Sequence, residues 1–350
     1  MRPLKLAVLG AGMIGKRHAE LIASEPRAKL SAVVDPAPVG RAVAAQLGAP
    51  WFASFADLMS VDRPDGIIIA TPNPLHVAHG LEAVAAGVPV LVEKPIAVDV
   101  ASGARLVEAA EKAGAPLLVG HHRRYNPMIA KAKEIIESGR LGRIVTIHAA
   151  FWLFKPDDYF APDWRRQEGA GPILLNLIHD IDLLRYLCCE IVSVQAQQSS
   201  AIRGNLVEDT AVVLLRFANG ALGTVNGSDC VAGPWSWELT SGENAAYPRQ
   251  DQSCYTIGGA HASLTIPRLE IWSYRDKRGW WEPLACERAS FVAEDPLKLQ
   301  IRHFCAVIAG EAAPIMPGRE GLATLQVIEA IKDAARTGAT VAIEGRSAAP

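Results

Sequence analysis

The chain has 350 residues, half of them hydrophobic, and a formal net charge of -2. That length exceeds the needs of one ordinary core and suits two domains. The near-neutral charge offers no basic face for nucleic acid, and no apolar run reaches the roughly 18 residues of a membrane helix. Six cysteines at irregular spacing, with no Cys-x-x-Cys pair, read as free thiols of a reducing cytoplasm and not as a zinc site. The apolar stretch Leu6–Ile14 is short and broken by Gly10 and Gly12. It reads as a buried strand entering a turn, not as a signal peptide.

The first 120 residues alternate strand and helix. Continuous apolar runs at Leu4–Leu9, Leu30–Val34, Gly66–Ala70, Val88–Val92 and Pro116–Val119 are the pattern of strands buried on both faces of a parallel sheet. Amphipathic stretches such as Pro74–Ala86 and Val100–Ala113 lie between them, with Gly87 and Gly114 where helices end. The rhythm predicts a doubly wound Rossmann sheet. After residue 122 the pattern changes. Asn126–Ser138 reads as helix, Ile144–Trp152 as strand, Phe154–Gly171 as a polar aromatic loop and Ile173–Leu187 as one long helix. Strands are predicted at Val192–Ser199, Thr210–Phe217, Ala221–Ser228, Cys254–Ile257, Ala262–Ile266 and Leu269–Tyr274, several of them parted by Asn-Gly or Gly-Gly turns. Two helices, near Pro296–Ala309 and Gly318–Thr337, close the chain. The expected architecture is α/β: a Rossmann domain over residues 1–122, then an α+β domain over 123–350 with a mostly antiparallel open sheet. The closing helices are expected to pack back on the first domain.

Gly10-Ala11-Gly12-Met13-Ile14-Gly15 is a Gly-x-Gly-x-x-Gly string between a predicted strand and a predicted helix, the context that turns a weak motif into a dinucleotide site. Gly10 permits the turn, Gly12 leaves room for a pyrophosphate, and Gly15 lets helix and strand approach. The helix start offers backbone N–H groups to phosphate. Asp35, 20 residues after Gly15, is placed to accept hydrogen bonds from the adenosine ribose and to repel a 2′-phosphate. NAD is therefore favoured over NADP, with Arg41 the residue that argues the other way. FAD shares the fingerprint, but nothing later in the chain suggests a flavin.

Ligands of open α/β sheets sit at the carboxyl ends of the strands. Thr71-Pro72-Asn73, Glu93-Lys94-Pro95 and the basic run His121–Arg124 all fall there. His76, on the following helix, is read as lining the site, while His18 and His79 are left as structural. The strings Ala70–Asn73, Glu93–Pro95 and His179-Asp180-Ile181-Asp182, with the glycine turn, resemble the glucose–fructose oxidoreductase / inositol dehydrogenase / MocA family. The resemblance runs from Leu4 to about Ala342.

That resemblance implies an NAD(P)-dependent oxidoreductase in which Lys94 supplies an ammonium to the reacting oxygen and His179 accepts its proton. It implies cofactor contacts from Gly10, Gly12, Met13, Ile14, Gly15, Asp35, Thr71, Pro72, Asn73, His76, Glu93, Lys94, Trp164 and Arg165. Without it, Lys94 is an ordinary surface lysine and His179 an ordinary core histidine. Many relatives place an aspartate four residues before the histidine; here that position is Leu175, which shares a helical face with His179. Asn176 is read as contacting substrate or His179, with a capping amide the plain alternative. Arg123 and Tyr159 are read as further substrate contacts, with no metal.

The leading activity is hydride transfer to or from a secondary alcohol of a sugar, cyclitol or related hydroxylated ring. The basic 121–124 cluster and Leu175 also suit a cis-dihydrodiol or an alicyclic hydroxy acid. Relatives include non-catalytic dinucleotide-binding sensors as well. The resemblance further implies a homodimer or homotetramer formed through the open sheet face, with Ala221–Asp229 and Trp235–Trp237 contributing.

Overall fold

The computed structural model describes residues 2–343 and 345. Packing divides the chain into two compact units. One runs to Asn126 and also takes in Glu294–Leu325; the other holds Pro127–Ala293 and the chain from Gln326 onward. The sequence pattern parts the chain at 122; the packing parts it after Asn126 and returns Glu294–Leu325 to the first unit.

The first unit is built on β1 (Leu4–Leu9), β2 (Ala28–Val34), β3 (Trp51–Phe52), β4 (Gly66–Ile69), β5 (Val90–Val92) and β6 (Leu117–Val119), in the order β3-β2-β1-β4-β5-β6. Every pairing is parallel. The apolar runs are buried along most of their length because helices cover both faces. The strand β3 is only two residues long at a sheet edge, too short for periodicity to reveal. Five helices connect these strands: α1 (Met13–Ser24), α2 (Pro38–Leu47), α3 (Phe55–Val61), α4 (His76–Ala85) and α5 (Val100–Ala113). Their ends follow local chemistry. Asp99 Oδ1 accepts the Ser102 N–H at 2.7 Å to start α5, and Gly114, at φ 61°, ends it.

The second unit holds α6 (Pro127–Glu137), β7 (Ile144–Trp152), α7 (Pro172–Leu175), α8 (Leu177–Cys188), β8 (Ile191–Ser199), β9 (Thr210–Phe217), β10 (Leu222–Ser228), α9 (Trp237–Thr240), β11 (Tyr255–Gly259), β12 (Ala262–Ile266), β13 (Glu270–Tyr274), β14 (Leu284–Arg288) and β15 (Val341–Ala342). Its nine strands run β14-β13-β12-β11-β7-β10-β9-β8-β15. Only the β7–β10 pair is parallel. Burial alternates along β9, as expected of a sheet with one covered and one open face. Phe151, Phe217 and Tyr255 point into a core shared with Ile178, Ile181 and Leu184 of α8. Val212, Leu214 and Leu222 stay exposed on the strands. Trp237, expected among the open-face residues, is instead a core side chain.

The predicted helix Ile173–Leu187 is two helices. Asn176 interrupts them at φ −115°, ψ −58°, and the His179 N–H closes a tight turn on the Asn176 carbonyl at 3.0 Å. Asparagine readily exchanges helical bonding for side-chain bonding, and its amide is engaged elsewhere by Lys155 Nζ. Leu175 and His179 therefore do not share the face of one unbroken helix, and the spacing argument for that pair does not hold.

Two helices close the chain, α10 (Pro296–Ile308) and α11 (Gly318–Thr337). Asp295 caps α10 through the Leu297 N–H at 2.9 Å. Ile301, Phe304 and Cys305 of α10 fill the first unit's core beside Leu6, Ile22 and Ile68. Gly318 and Gly321, at the start of α11, lie against Leu117 and Val119. No helix among the described residues is long and apolar enough to cross a membrane.

Candidate active site

The glycine turn joins β1 to α1. Gly10 takes φ +88°, and a Cβ there would meet the Ala70 carbonyl oxygen at 2.5 Å. At Gly15 a Cβ would lie 2.0 Å from the Gly10 carbonyl oxygen. At Gly12, by contrast, a Cβ would find nothing within 4 Å. Two of the glycines are thus demanded by packing, and the third borders open space above the start of α1. No side chain caps that helix end. A pyrophosphate fits such a place, because first-turn N–H groups and the helix dipole both favour an anion there. Met13 is 93% exposed, leaving the mouth of the turn uncovered, and Ile14 is half-buried.

Asp35 follows β2. Its Oδ2 accepts the Ala11 N–H at 2.7 Å and its Oδ1 the Ala37 N–H at 2.8 Å, which fixes the carboxylate beside the glycine turn. Each oxygen retains a lone pair for a ribose hydroxyl. Arg41, the residue that could greet a 2′-phosphate, lies over the Trp51 ring at 4.4 Å. The Trp51 indole N–H in turn donates to the Asp35 carbonyl at 3.0 Å.

Strands β4 and β5 end in the other two motifs. Thr71 and Asn73 are half-buried and Pro72 exposed. His76 is 1% exposed, and its ring nitrogens face the Pro95 and Thr71 carbonyl oxygens, both at 2.8 Å. It sits between the two turns, and in its neutral form donates to one of these carbonyls at a time. Burial depresses its pKa, against the pull of those two carbonyls and of Glu93. The Lys94-Pro95 peptide is cis.

Glu93 is buried, and its Oε1 sits 2.7 Å from His18 Nε2 of α1. Burial works against its charge. The hydrogen bond and charge of His18, with His122 and Lys94, outweigh that cost and hold the carboxyl at about 2. The Lys94 N–H donates to Glu93 Oε2 at 3.2 Å. His18, left as structural by sequence reasoning, thus joins α1 to the Glu-Lys-Pro turn. Its place three residues after Gly15, on the sheet-facing side of α1, was the available signal. Of the basic run, Arg123 is buried and Arg124 pairs with Glu320 at 3.0 Å.

In the second unit His179 is 7% exposed in the first turn of α8. The neighbouring Asp180 accepts from the Tyr255 hydroxyl. The aromatic loop folds as two short 3-10 turns, Asp157–Phe160 and Asp163–Arg166. Arg165 lies over the Tyr159 ring at 4.0 Å and donates to the Tyr159 carbonyl at 2.6 Å, while Trp164 is exposed. Sequence reasoning passed over the ionic cluster beneath this loop. Lys155 Nζ lies 2.9 Å from Asn176 Oδ1 and 3.4 Å from Asp229 Oδ2, and Arg203 Nε donates to Asp229 Oδ1 at 2.8 Å. These charges stand far apart in the chain, and no local motif marks them. No group of three His, Cys, Asp or Glu side chains among the described residues could hold a metal.

Residues 4–121 match the oxidoreductase family with an NAD-binding Rossmann fold, and residues 129–264 match the GFO/IDH/MocA C-terminal domain. An inositol 2-dehydrogenase of Rubrobacter xylanophilus is 30% identical over 97% of this chain and 93% of its own length. The rhizopine catabolism protein MocA of Rhizobium meliloti is 25% identical over 65% of this chain and 71% of its own. The WlbA dehydrogenase of Bordetella pertussis, crystallised with NADH and UDP-GlcNAcA, superposes with a TM-score of 0.80 at 28% identity, covering 99% of this chain and all of that one. With an open glycine turn at the head of α1, the Asp35 carboxylate fixed beside it and both domains matched, the chain belongs to the GFO/IDH/MocA family and is an NAD-binding oxidoreductase.

Proposed function

We propose that the protein oxidises a secondary alcohol of a sugar or cyclitol, or reduces the corresponding ketone, with Lys94 and His179 as its catalytic residues. NAD, when bound, supplies the hydride acceptor or donor. Gly10, Gly12, Met13, Ile14 and Gly15 hold its pyrophosphate, Asp35 its adenosine ribose, and Thr71, Pro72, Asn73, Glu93, Trp164 and Arg165 further edges. The His76 ring serves by packing between the turns, with a ring nitrogen 2.8 Å from a backbone carbonyl oxygen of each.

Loss of hydride from an alcohol carbon leaves its oxygen needing to shed a proton. An imidazole accepts a proton near neutral pH. An ammonium hydrogen-bonds the oxygen and stabilises the negative charge that develops there. Arg123, Tyr159 and Asn176 are assigned to substrate.

The observation that carries this reading is the anchoring of Lys94. Its preceding residue is bonded to α1, the helix that opens at the cofactor turn, and its following residue to His76. A solvated surface lysine has no such support. The relatives named inositol 2-dehydrogenase and D-apiose dehydrogenase motivate the substrate class. The exposed apolar residues of β9 and β10, Val212, Leu214 and Leu222, support assembly as a homodimer or homotetramer through that face.

The test is purified protein with NAD+ and a panel of myo-inositol, D-glucose, D-apiose, a cis-dihydrodiol and an alicyclic hydroxy acid, following NADH. Turnover of a polyol, abolished in Lys94→Ala and in His179→Ala, is expected. NAD+ binding with no turnover of any compound would favour a sensor.

A further inference from the structure

The break between α7 and α8 places one asparagine amide against a buried ammonium. An asparagine side chain has one acceptor oxygen and a nitrogen with two donors, whereas an ammonium only donates. Lys155 Nζ at 2.9 Å therefore fixes the atom facing it as Oδ1, and the Asn176 Nδ2 group must face the other way. Lys155 has little freedom to release that oxygen. It is 6% exposed, lies 5.0 Å from the Tyr159 ring centre, and shares Asp229 with Arg203. Arg203 is itself fixed: Nη2 donates to the Lys155 and Asp229 carbonyls at 2.7 and 2.5 Å, and the guanidinium lies over Phe160 at 4.3 Å. Asn176 as a whole is half-buried. Its backbone carbonyl meanwhile holds the His179 N–H.

We propose that Lys155 is a specificity-determining positioning residue: by occupying Oδ1 it presents Asn176 to substrate as a donor only. The substrate must then offer an accepting oxygen at that point, from a hydroxyl, a ring ether or a carboxylate. An N–H or ammonium group there is rejected, since it would meet two N–H donors. The inference rests on the reading above that Asn176 meets substrate. It adds the polarity of that contact and the residue that sets it.

Three variants separate the possibilities. Asn176→Asp keeps the size and the contact with Lys155 but turns donors into acceptors. Lys155→Met keeps the packing of the stem and removes the ammonium. Lys155→Arg restores a cation. Kinetics are read with myo-inositol and with D-glucose at saturating NAD+, beside crystal structures of the native protein and of Lys155→Met. Lys155→Met is expected to raise KM about tenfold while kcat and the Kd for NAD+ stay within about threefold, the size of one hydrogen bond. Lys155→Arg recovers most of that loss, and Asn176→Asp raises KM further than Lys155→Met. In the Lys155→Met crystal the Asn176 amide is turned or spread over two orientations. A KM within about twofold of native in Lys155→Met, or an unmoved amide in its crystal, overturns the inference. If native protein oxidises neither polyol, the substrate class falls, while the amide orientation still decides the role of Lys155. Should Lys155→Met not fold, the ordering of Lys155→Arg and Asn176→Asp decides it instead.

Discussion

Replacing Glu93 with glutamine removes the charge that binds α1 to the Glu-Lys-Pro turn and leaves the shape almost unchanged. The carboxyl is held at about 2, against an ordinary value of 4.5. The difference, about 2.5 units at about 1.4 kcal/mol each, makes the ionised form worth about 3 kcal/mol to the folded state. The sign follows from the direction of the shift. A depressed carboxyl stabilises the fold above its unfolded value, and that contribution fades as pH falls toward the folded one. Near neutral pH the full amount is present; near about pH 3 roughly 1 kcal/mol remains. Urea unfolding of native protein and Glu93→Gln, followed by circular dichroism across about pH 7 to 3, should show a gap of a few kcal/mol that narrows with acid. The variant should also bind NAD+ more weakly, because α1, which carries His18, loses its charged tie to the Glu-Lys-Pro turn. A gap under about 0.5 kcal/mol at neutral pH, or one that does not change with pH, would refute the reasoning.

Gly12→Ala should leave stability within about 1 kcal/mol of native yet weaken NAD+ binding about tenfold, since its Cβ enters the open space proposed for phosphate. Gly15→Ala, whose Cβ would collide with the Gly10 carbonyl, should instead lower stability by about 2 kcal/mol or more in the same urea titration. Asp35→Ser should shift the ratio of Kd values toward NADP+ by about tenfold, measured by fluorescence titration; an unchanged ratio would remove Asp35 from the ribose site. Burial pushes the Cys188 thiol up to about 12 and that of Cys305 to about 11, whereas Cys286 is exposed on β14. Mass spectrometry after brief alkylation should find Cys286 modified well before the other two, and equal rates in the folded protein would contradict the burial assigned to them.

Much of the first unit is legible in sequence because its signals are local. A buried parallel strand such as β4 must be apolar throughout, and the Gly10–Gly15 string is readable within a single turn, although the atom that bars a Cβ at Gly10 belongs to distant Ala70. The helix α5 matches its predicted bounds because Asp99 and Gly114 mark its ends. What escapes notice depends on contacts remote in sequence. The break falls at Asn176, whose amide oxygen accepts from Lys155, 21 residues earlier, a contact the apolar pattern does not carry, so the pattern alone reads one helix. Likewise the partner of Glu93 stands 75 residues away. The edge strand β14 was missed because its residues are mostly exposed and carry no alternation.

The noncontiguous first unit bears on how the protein is made. Its sheet is complete by Val119, but Ile301, Phe304 and Cys305, which seal one side of that sheet, emerge from the ribosome about 180 residues later. At synthesis rates of about 5–20 residues per second, a greasy surface around Leu6, Ile22 and Ile68 stays uncovered for tens of seconds or somewhat less. A fragment ending at Asn126 would inherit that bare surface permanently and should aggregate, whereas appending Glu294–Leu325 through a flexible linker should rescue it as an independent nucleotide-binding module.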